Sequence, residues 1–134
     1  MQNIVKIKEL AKSRIQEFID TKNKWYKWHK TYVDWIDDEW QEAKDEIKPN
    51  NSVYLEDELW DVFWDYMCLL NSLEQEWLIS SQEKVFERCY TKFSERIWEV
   101  RKSIPWQDDI WKKVKKKQNL EKSKEHKEKH WKSQ

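Results

Sequence analysis

Glycine is absent from this chain of 134 residues, although about 7% is usual in proteins. The two cysteines, Cys68 and Cys89, form neither a CxxC motif nor a zinc-binding spacing. Both fall among apolar residues of predicted helices, so we expect buried, reduced thiols and a reducing compartment. No apolar run approaches the ~20 residues that a membrane span needs, and the opening stretch MQNIVKIKEL lacks the apolar core of a signal peptide. We therefore expect a soluble, cytoplasmic protein with no membrane partner.

The zero net charge, from 26 basic and 26 acidic residues, hides a strongly basic C-terminal segment. Residues 112–134 contain ten lysines and three glutamates, a local net charge of +7, so residues 1–111 carry −7. We predict a folded all-α domain over residues 1–111 and a Lys-rich tail over 112–134, which buries too little to fold alone. The acidic domain suits a cation site, and it argues against nucleic-acid binding, which would depend on the tail only.

Apolar residues recur every three or four positions through most of the chain, which is typical of helices. The pattern predicts helices over about 3–22, 31–48, 53–76 and 82–102. A turn at Pro49–Asn51 makes the second and third helices antiparallel neighbours. The predicted fold is all-α, a four-helix bundle-like arrangement with a basic, flexible C-terminal tail. The face that the fourth helix is expected to bury consists of Val85, Phe86, Cys89, Phe93, Ile97 and Val100.

Two acidic pairs lie on the second and third predicted helices. Glu39 and Glu42 form one pair, and Glu58 and Asp61 the other. Residues at i and i+3 share a helix face, and the turn between the helices brings the two pairs level. Four facing carboxylates repel one another unless a cation lies between them, and hard oxygen ligands select Mg²⁺ or Mn²⁺.

A solvated acidic face is the alternative reading of these pairs, because such spacings arise easily in a helical chain rich in acids. The surroundings of the second pair favour the metal site. Glu58 and Asp61 lie within LEDELWDVFWDYMCLL, on the most apolar predicted helix. A charge in such a context is costly unless it is paired or bound to a metal.

The stretch from Trp25 to Arg96 resembles the all-α nucleoside triphosphate pyrophosphohydrolase superfamily, and within it the MazG-like proteins. The signature of that family is ExxE, a gap, and ExxD; here it reads EWQE, 15 residues, and ELWD. An aromatic and histidine segment, WYKWH, precedes the first pair, and TKFSER follows on the next helix. The resemblance implies Mg²⁺-dependent hydrolysis of a nucleoside triphosphate to the monophosphate and pyrophosphate, in a homodimer or homotetramer.

The resemblance also implies roles for individual residues. The metal ligands would be Glu39, Glu42, Glu58 and Asp61, with Glu39 or Glu42 orienting the attacking water. Lys92 and Arg96 would bind phosphate, whereas surface ion pairing is the alternative. Trp28 and His29 would shape a nucleobase pocket, or else seal the core beneath the first loop. The remaining candidates are Asp65, which lies one turn beyond Asp61 on the same face and would support the metal ligands from behind, and, with less support, Asp38 and Arg88.

The 11 tryptophans bear on the missing glycines. Related proteins have glycine at the position of Trp60, and Trp77 follows a predicted helix end where glycine is natural. We hypothesise that some tryptophans, first Trp60 and Trp77 and then Trp98 and Trp131, are UGA codons that the source organism reads as glycine. The main rival to the enzyme hypothesis is a non-catalytic helical interaction protein with an acidic face and a basic tail.

Overall fold

The computed structural model describes residues 2–102 and 108–131, and no strand occurs among them. The helices are α1 (Gln2–Asp20), α2 (His29–Asp45), α3 (Ser52–Gln75), α4 (Gln82–Arg101) and α5 (Asp108–His130). The chain divides into two compact units, Met1–Gln82 and Glu83–Gln134. Within the described residues, no helix combines the length and hydropathy that crossing a membrane requires. The predicted all-α fold class is confirmed.

The first unit is built around α3, which packs against both α1 and α2. The apolar spacing of α1 places one face in the core, where Phe18 stacks on Tyr26 with ring centroids 5.3 Å apart. The buried apolar residues of this unit are Ala11, Ile15, Phe18, Tyr26, Tyr32, Ala43, Met67, Cys68 and Leu70. The core thus lies beside the C-terminal half of α3 and leaves the N-terminal half more exposed.

A buried hydrogen bond ties the first loop to α3. The Tyr26 hydroxyl and the Ser72 hydroxyl lie 2.7 Å apart, and both side chains are buried. At the other end of α2, the Asn51 amide donates to the Glu46 carbonyl at 2.8 Å. Because this bond closes the short connection between α2 and α3, it favours their antiparallel pairing.

The second unit contains most of α4, together with α5, and here two predictions fail. Cys89 is exposed rather than buried, and Phe93 and Ile97 retain 40% and 37% of their accessible surface. A helical period shows that residues share a face, but it does not show what covers that face. Val100, from the same predicted face, is buried.

The C-terminal segment differs from expectation in being helical. The low apolar content of residues 113–134 predicts that they do not order themselves alone, yet α5 continues to His130. Lysine, glutamate, glutamine and leucine all have high helix propensity, and the pair between Lys117 and Glu121 supports the helix at i and i+4. Low apolar content therefore predicted poor burial correctly, but it did not predict the local conformation.

Candidate metal centre

Three of the four predicted carboxylates come together between α2 and α3. Glu39, Glu58 and Asp61 each offer an oxygen, and these oxygens lie within 4.8 Å of one another. Glu39 and Glu58 are half-buried, whereas Asp61 is exposed. The spacing of the α3 pair aims both of its carboxylates at α2, as the shared helix face requires. We call these three residues the carboxylate group.

Glu42, the fourth predicted ligand, lies next to the carboxylate group but is not one of its members, in the part of the chain that the structure describes. Its side chain is exposed. Its negative charge nevertheless raises the pKa of Glu39, Glu58 and Asp61. Glu42 is therefore close enough to join the group through a small side-chain movement. Asp38, the weaker candidate, is exposed and lies outside the group.

The carboxylate group has an electrostatic problem that a cation would relieve. Burial, followed by the charges of Glu42 and Asp61, raises the pKa of Glu39 to about 7. The pKa values of Glu58 and Asp61 are raised by burial and by neighbouring acids. The charges of Glu42, Asp57, Asp61 and Asp65 all contribute to these raised pKa values. Gathering several acids in this way costs free energy unless protons or a metal compensate their charge.

Asp65 lies deeper, one turn beyond Asp61 on α3. Its side chain is 4% exposed, and burial, with the charge of Asp61, raises its pKa to about 6. Its charge contributes to the raised pKa of Glu39 in turn. Within the described residues, three buried carboxylate oxygens have no hydrogen-bond partner: Glu39 Oε2, Glu58 Oε2 and Asp65 Oδ2. Unpartnered buried oxygens are uncommon, and hard divalent cations accept such donors, so these residues fit Mg²⁺ or Mn²⁺.

Trp60 stands between Glu58 and Asp61 in sequence but does not keep their carboxylates apart. Its indole is half-exposed and makes an edge contact with Phe63, with ring centroids 5.4 Å apart. Together with Ile4, Leu59 and Phe63, it lines a shallow apolar groove of about 400 Å³. The indole therefore extends from α3 toward the start of α1, and the two acids retain their common face.

Trp28 and His29 lie at the beginning of α2, about 15 Å along the helix from Glu39 at 1.5 Å per residue. His29 Nδ1 is 2.8 Å from a Glu76 carboxylate oxygen, and the His29 backbone N–H donates to the same carboxylate. Trp28 is 42% exposed, and its ring lies 5.5 Å from that of Tyr26. In this structure His29 thus has a structural partner, Glu76, which satisfies the first turn of α2. No sequence motif pointed to Glu76.

The two predicted phosphate-binding residues lie on α4, in the second unit. Arg96 is 5% exposed; its Nε donates to Gln118 Oε1 at 2.7 Å, and its guanidinium lies over the rings of Phe93 and Trp111. Lys92 is exposed, with its ammonium 5.3 Å from the Phe93 ring centroid. Arg88 instead forms a two-bond pair with Glu125.

Comparison with known families gives a match over more than half of the chain. The model of the MazG nucleotide pyrophosphohydrolase domain matches residues 27–100. This range contains both acidic pairs, Asp65, and the Lys92 and Arg96 positions. No curated protein and no solved structure matches the chain.

Proposed function

The chain belongs to the MazG nucleotide pyrophosphohydrolase family, and we propose that it hydrolyses a nucleoside triphosphate to the monophosphate and pyrophosphate with Mg²⁺ as cofactor. The family supports hydrolysis of a nucleotide pyrophosphate bond in general. The carboxylate group is the observation that supports a metal-dependent reaction at this position, because it gathers three carboxylate oxygens within 4.8 Å of one another. Mn²⁺ suits the same ligands.

In this proposal the carboxylates have two tasks. Glu39, Glu58 and Asp61 hold the cation, and Glu42 completes the ligand set from the adjacent turn of α2. Glu39 or Glu42 orients the attacking water, since a carboxylate at the edge of the metal site can accept a hydrogen bond from it. A bound divalent cation would lower the pKa of that water and neutralise charge on the phosphates.

Residues outside the carboxylate group would bind the substrate. We propose that Lys92 and Arg96 contact phosphate oxygens, since a lysine ammonium and an arginine guanidinium both favour anionic oxygen. Asp65 supports the metal ligands from behind. Trp28 and His29 remain our candidates for the nucleobase pocket, although the bond between His29 and Glu76 favours a structural role for the histidine. We expect activity in the cytoplasm, on the nucleotide pool.

A homodimer or homotetramer is consistent with the large apolar side chains that the single chain leaves open. Val53 and Tyr54 at the start of α3 are 73% and 69% exposed, and Leu59 and Trp60 follow at 46% and 50%. Large apolar side chains that are exposed in a single chain can be covered by a second copy. Sedimentation equilibrium would measure the oligomeric state directly.

The test is a pyrophosphate-release assay with Mg²⁺ against the common ribo- and deoxyribonucleoside triphosphates. Glu58→Gln removes a predicted ligand, and we expect it to lower turnover by at least about 100-fold, because replacing even a residue that only supports a metal ligand costs about 10–100-fold. Glu56→Gln is the matched control, because Glu56 is exposed on the same helix and outside the carboxylate group. Equal turnover by Glu58→Gln and the wild type would refute the site. Absence of turnover with every nucleotide would favour the interaction-protein hypothesis.

A further inference from the structure

Helix α5 places hydrogen-bond acceptors against the basic side chains of α4. Gln118 Oε1 accepts from Arg96 Nε at 2.7 Å, and Gln118 Nε2 donates to the Lys92 carbonyl at 3.0 Å. Two turns further along α5, Glu125 accepts bonds of 3.1 and 2.6 Å from the two Nη groups of Arg88. Gln118 and Glu125 are seven residues apart, so they share the face of α5 that contacts α4.

The side chains that α5 engages form one row on α4. Arg88, Lys92 and Arg96 recur every four residues and therefore lie along one side of the helix; we call them the cationic row. The guanidinium of arginine donates two parallel hydrogen bonds to a carboxylate or to a phosphate in the same geometry. Glu125 thus fills, at Arg88, the position that an oxygen pair of an anionic ligand would take.

Beyond Gln118, the contact between α5 and α4 is open and polar. Every described residue from Asn119 to Trp131 is exposed, and the ion pair of Arg88 with Glu125 is about half exposed on both sides, at 49% and 51%. A cavity of about 460 Å³ lies between the two helices, with Cys89, Phe93 and the cationic row among its lining residues. Because exposed ion pairs contribute little and are screened by salt, this part of α5 is held weakly enough for a multiply charged anion to displace it.

We propose that α5 is an internal competitor for the cationic row: Glu125 and Gln118 occupy Arg88 and Arg96, and a polyphosphate ligand binds by taking their place. The identity of the ligand as a nucleoside polyphosphate rests on the proposed function, but the competition requires only the α4 and α5 contacts described here. The basic tail is then a regulatory element, which lowers affinity for weakly charged anions and yields to strongly charged ones.

The test uses inorganic tripolyphosphate as the probe, on the full chain and without divalent cations, so that the carboxylate group takes no part. Glu125→Gln removes the competing charge, and we expect calorimetry to show about twofold to fivefold tighter binding, the size expected for an exposed ion pair. Glu128→Gln is the matched control, since Glu128 is an exposed acid of α5 that does not line the cavity. Equal gains in the two variants would show a general charge effect and overturn the proposal.

Hydrogen exchange supplies a second readout that an unfolded variant would not mimic. On wild-type protein, tripolyphosphate is expected to accelerate exchange of the amides of residues 119–130, because displaced α5 loses its contact with α4. Unchanged exchange at saturating tripolyphosphate, or no binding of tripolyphosphate at all, would overturn the proposal. Failure of the pyrophosphate-release assay alone would refute the proposed function and leave these two measurements intact, so the two outcomes are distinguishable.

Discussion

The carboxylate group and Asp65 predict an unusual pH dependence of stability. In most proteins acid destabilises the fold because native carboxylates have lowered pKa values. Here the pKa of Asp65 is raised to about 6 by burial and by Asp61, and that of Glu39 to about 7. At a pH between the ordinary and the raised values, the folded chain binds more protons than the unfolded chain, so the free energy of unfolding rises as pH falls.

The magnitude follows from Asp65, which is the buried member. Its pKa rises from 3.8 to about 6, and each unit corresponds to about 1.4 kcal/mol, giving an upper limit of about 3 kcal/mol. Neighbouring acids share the same protons, so we expect a net gain of about 1–2 kcal/mol between about pH 7.5 and about pH 5. For a chain of this length, that corresponds to an increase in Tm of about 3–8 °C.

The assay is thermal unfolding of metal-free protein, followed by far-UV circular dichroism. Asp65→Asn is expected to raise Tm at neutral pH and to flatten the pH dependence, because it removes the buried charge. Asp38→Asn is the control, an exposed acid of α2 outside the carboxylate group. A Tm that falls steadily from neutral to mildly acidic pH in the wild type would refute the electrostatic reasoning.

Divalent cations extend the same prediction. Mg²⁺ at about 100 times its Kd is expected to stabilise the folded chain by about 2.7 kcal/mol at neutral pH. The effect should shrink under mild acid, where protons compete for the same oxygens, and it should be lost in Glu58→Gln. An equal Mg²⁺ effect at both pH values, or in Glu58→Gln, would place the bound ion elsewhere.

Three further predictions concern the fold and the identity of the tryptophans. Trp77→Gly is expected to stabilise the chain by about 1 kcal/mol in thermal unfolding, because the φ of 61° at this position favours glycine. Trp98→Gly, inside α4, should instead destabilise the chain by about 0.5–1 kcal/mol. Tyr26→Phe should cost about 1–2 kcal/mol in denaturant unfolding, since it orphans the buried Ser72 hydroxyl, and the exposed Tyr54→Phe should cost almost nothing. Intact-mass spectrometry of the native protein should give a mass below that of a chain with all 11 tryptophans; the full mass would end the glycine hypothesis.

Sequence patterns predicted the elements well because helical periodicity is local. The four expected helices correspond to α1–α4 within a few residues at each end. The approach of Glu39 to Glu58 and Asp61 was also predictable, since helix geometry and one short turn decide which faces meet, but the position of Glu42 outside the carboxylate group was not. The partner of His29 was not predictable, because Glu76 is 47 residues away in sequence. Nor was the exposure of Cys89 on α4, since coverage of a face depends on what lies opposite.

Two of the tryptophans have backbone conformations that are typical of glycine. Trp77 is 92% exposed and lies just after the end of α3. The Trp77 N–H donates to the Glu74 carbonyl, and the Leu78 N–H donates to the Leu73 carbonyl. This is the Schellman arrangement, whose left-handed residue is usually glycine. Trp28, with φ 58° and ψ −142°, occupies a region that essentially only glycine visits.

The backbone conformation therefore favours glycine at Trp77, as the sequence suggested. It also favours glycine at Trp28, which the sequence analysis assigned to a nucleobase pocket. Trp60 lies inside α3, where no left-handed conformation occurs, so its case rests on the family pattern alone. If Trp28 is glycine in the native protein, no indole exists there to stack on a base. Base recognition would then depend on other residues, and the carboxylate group would remain unaffected.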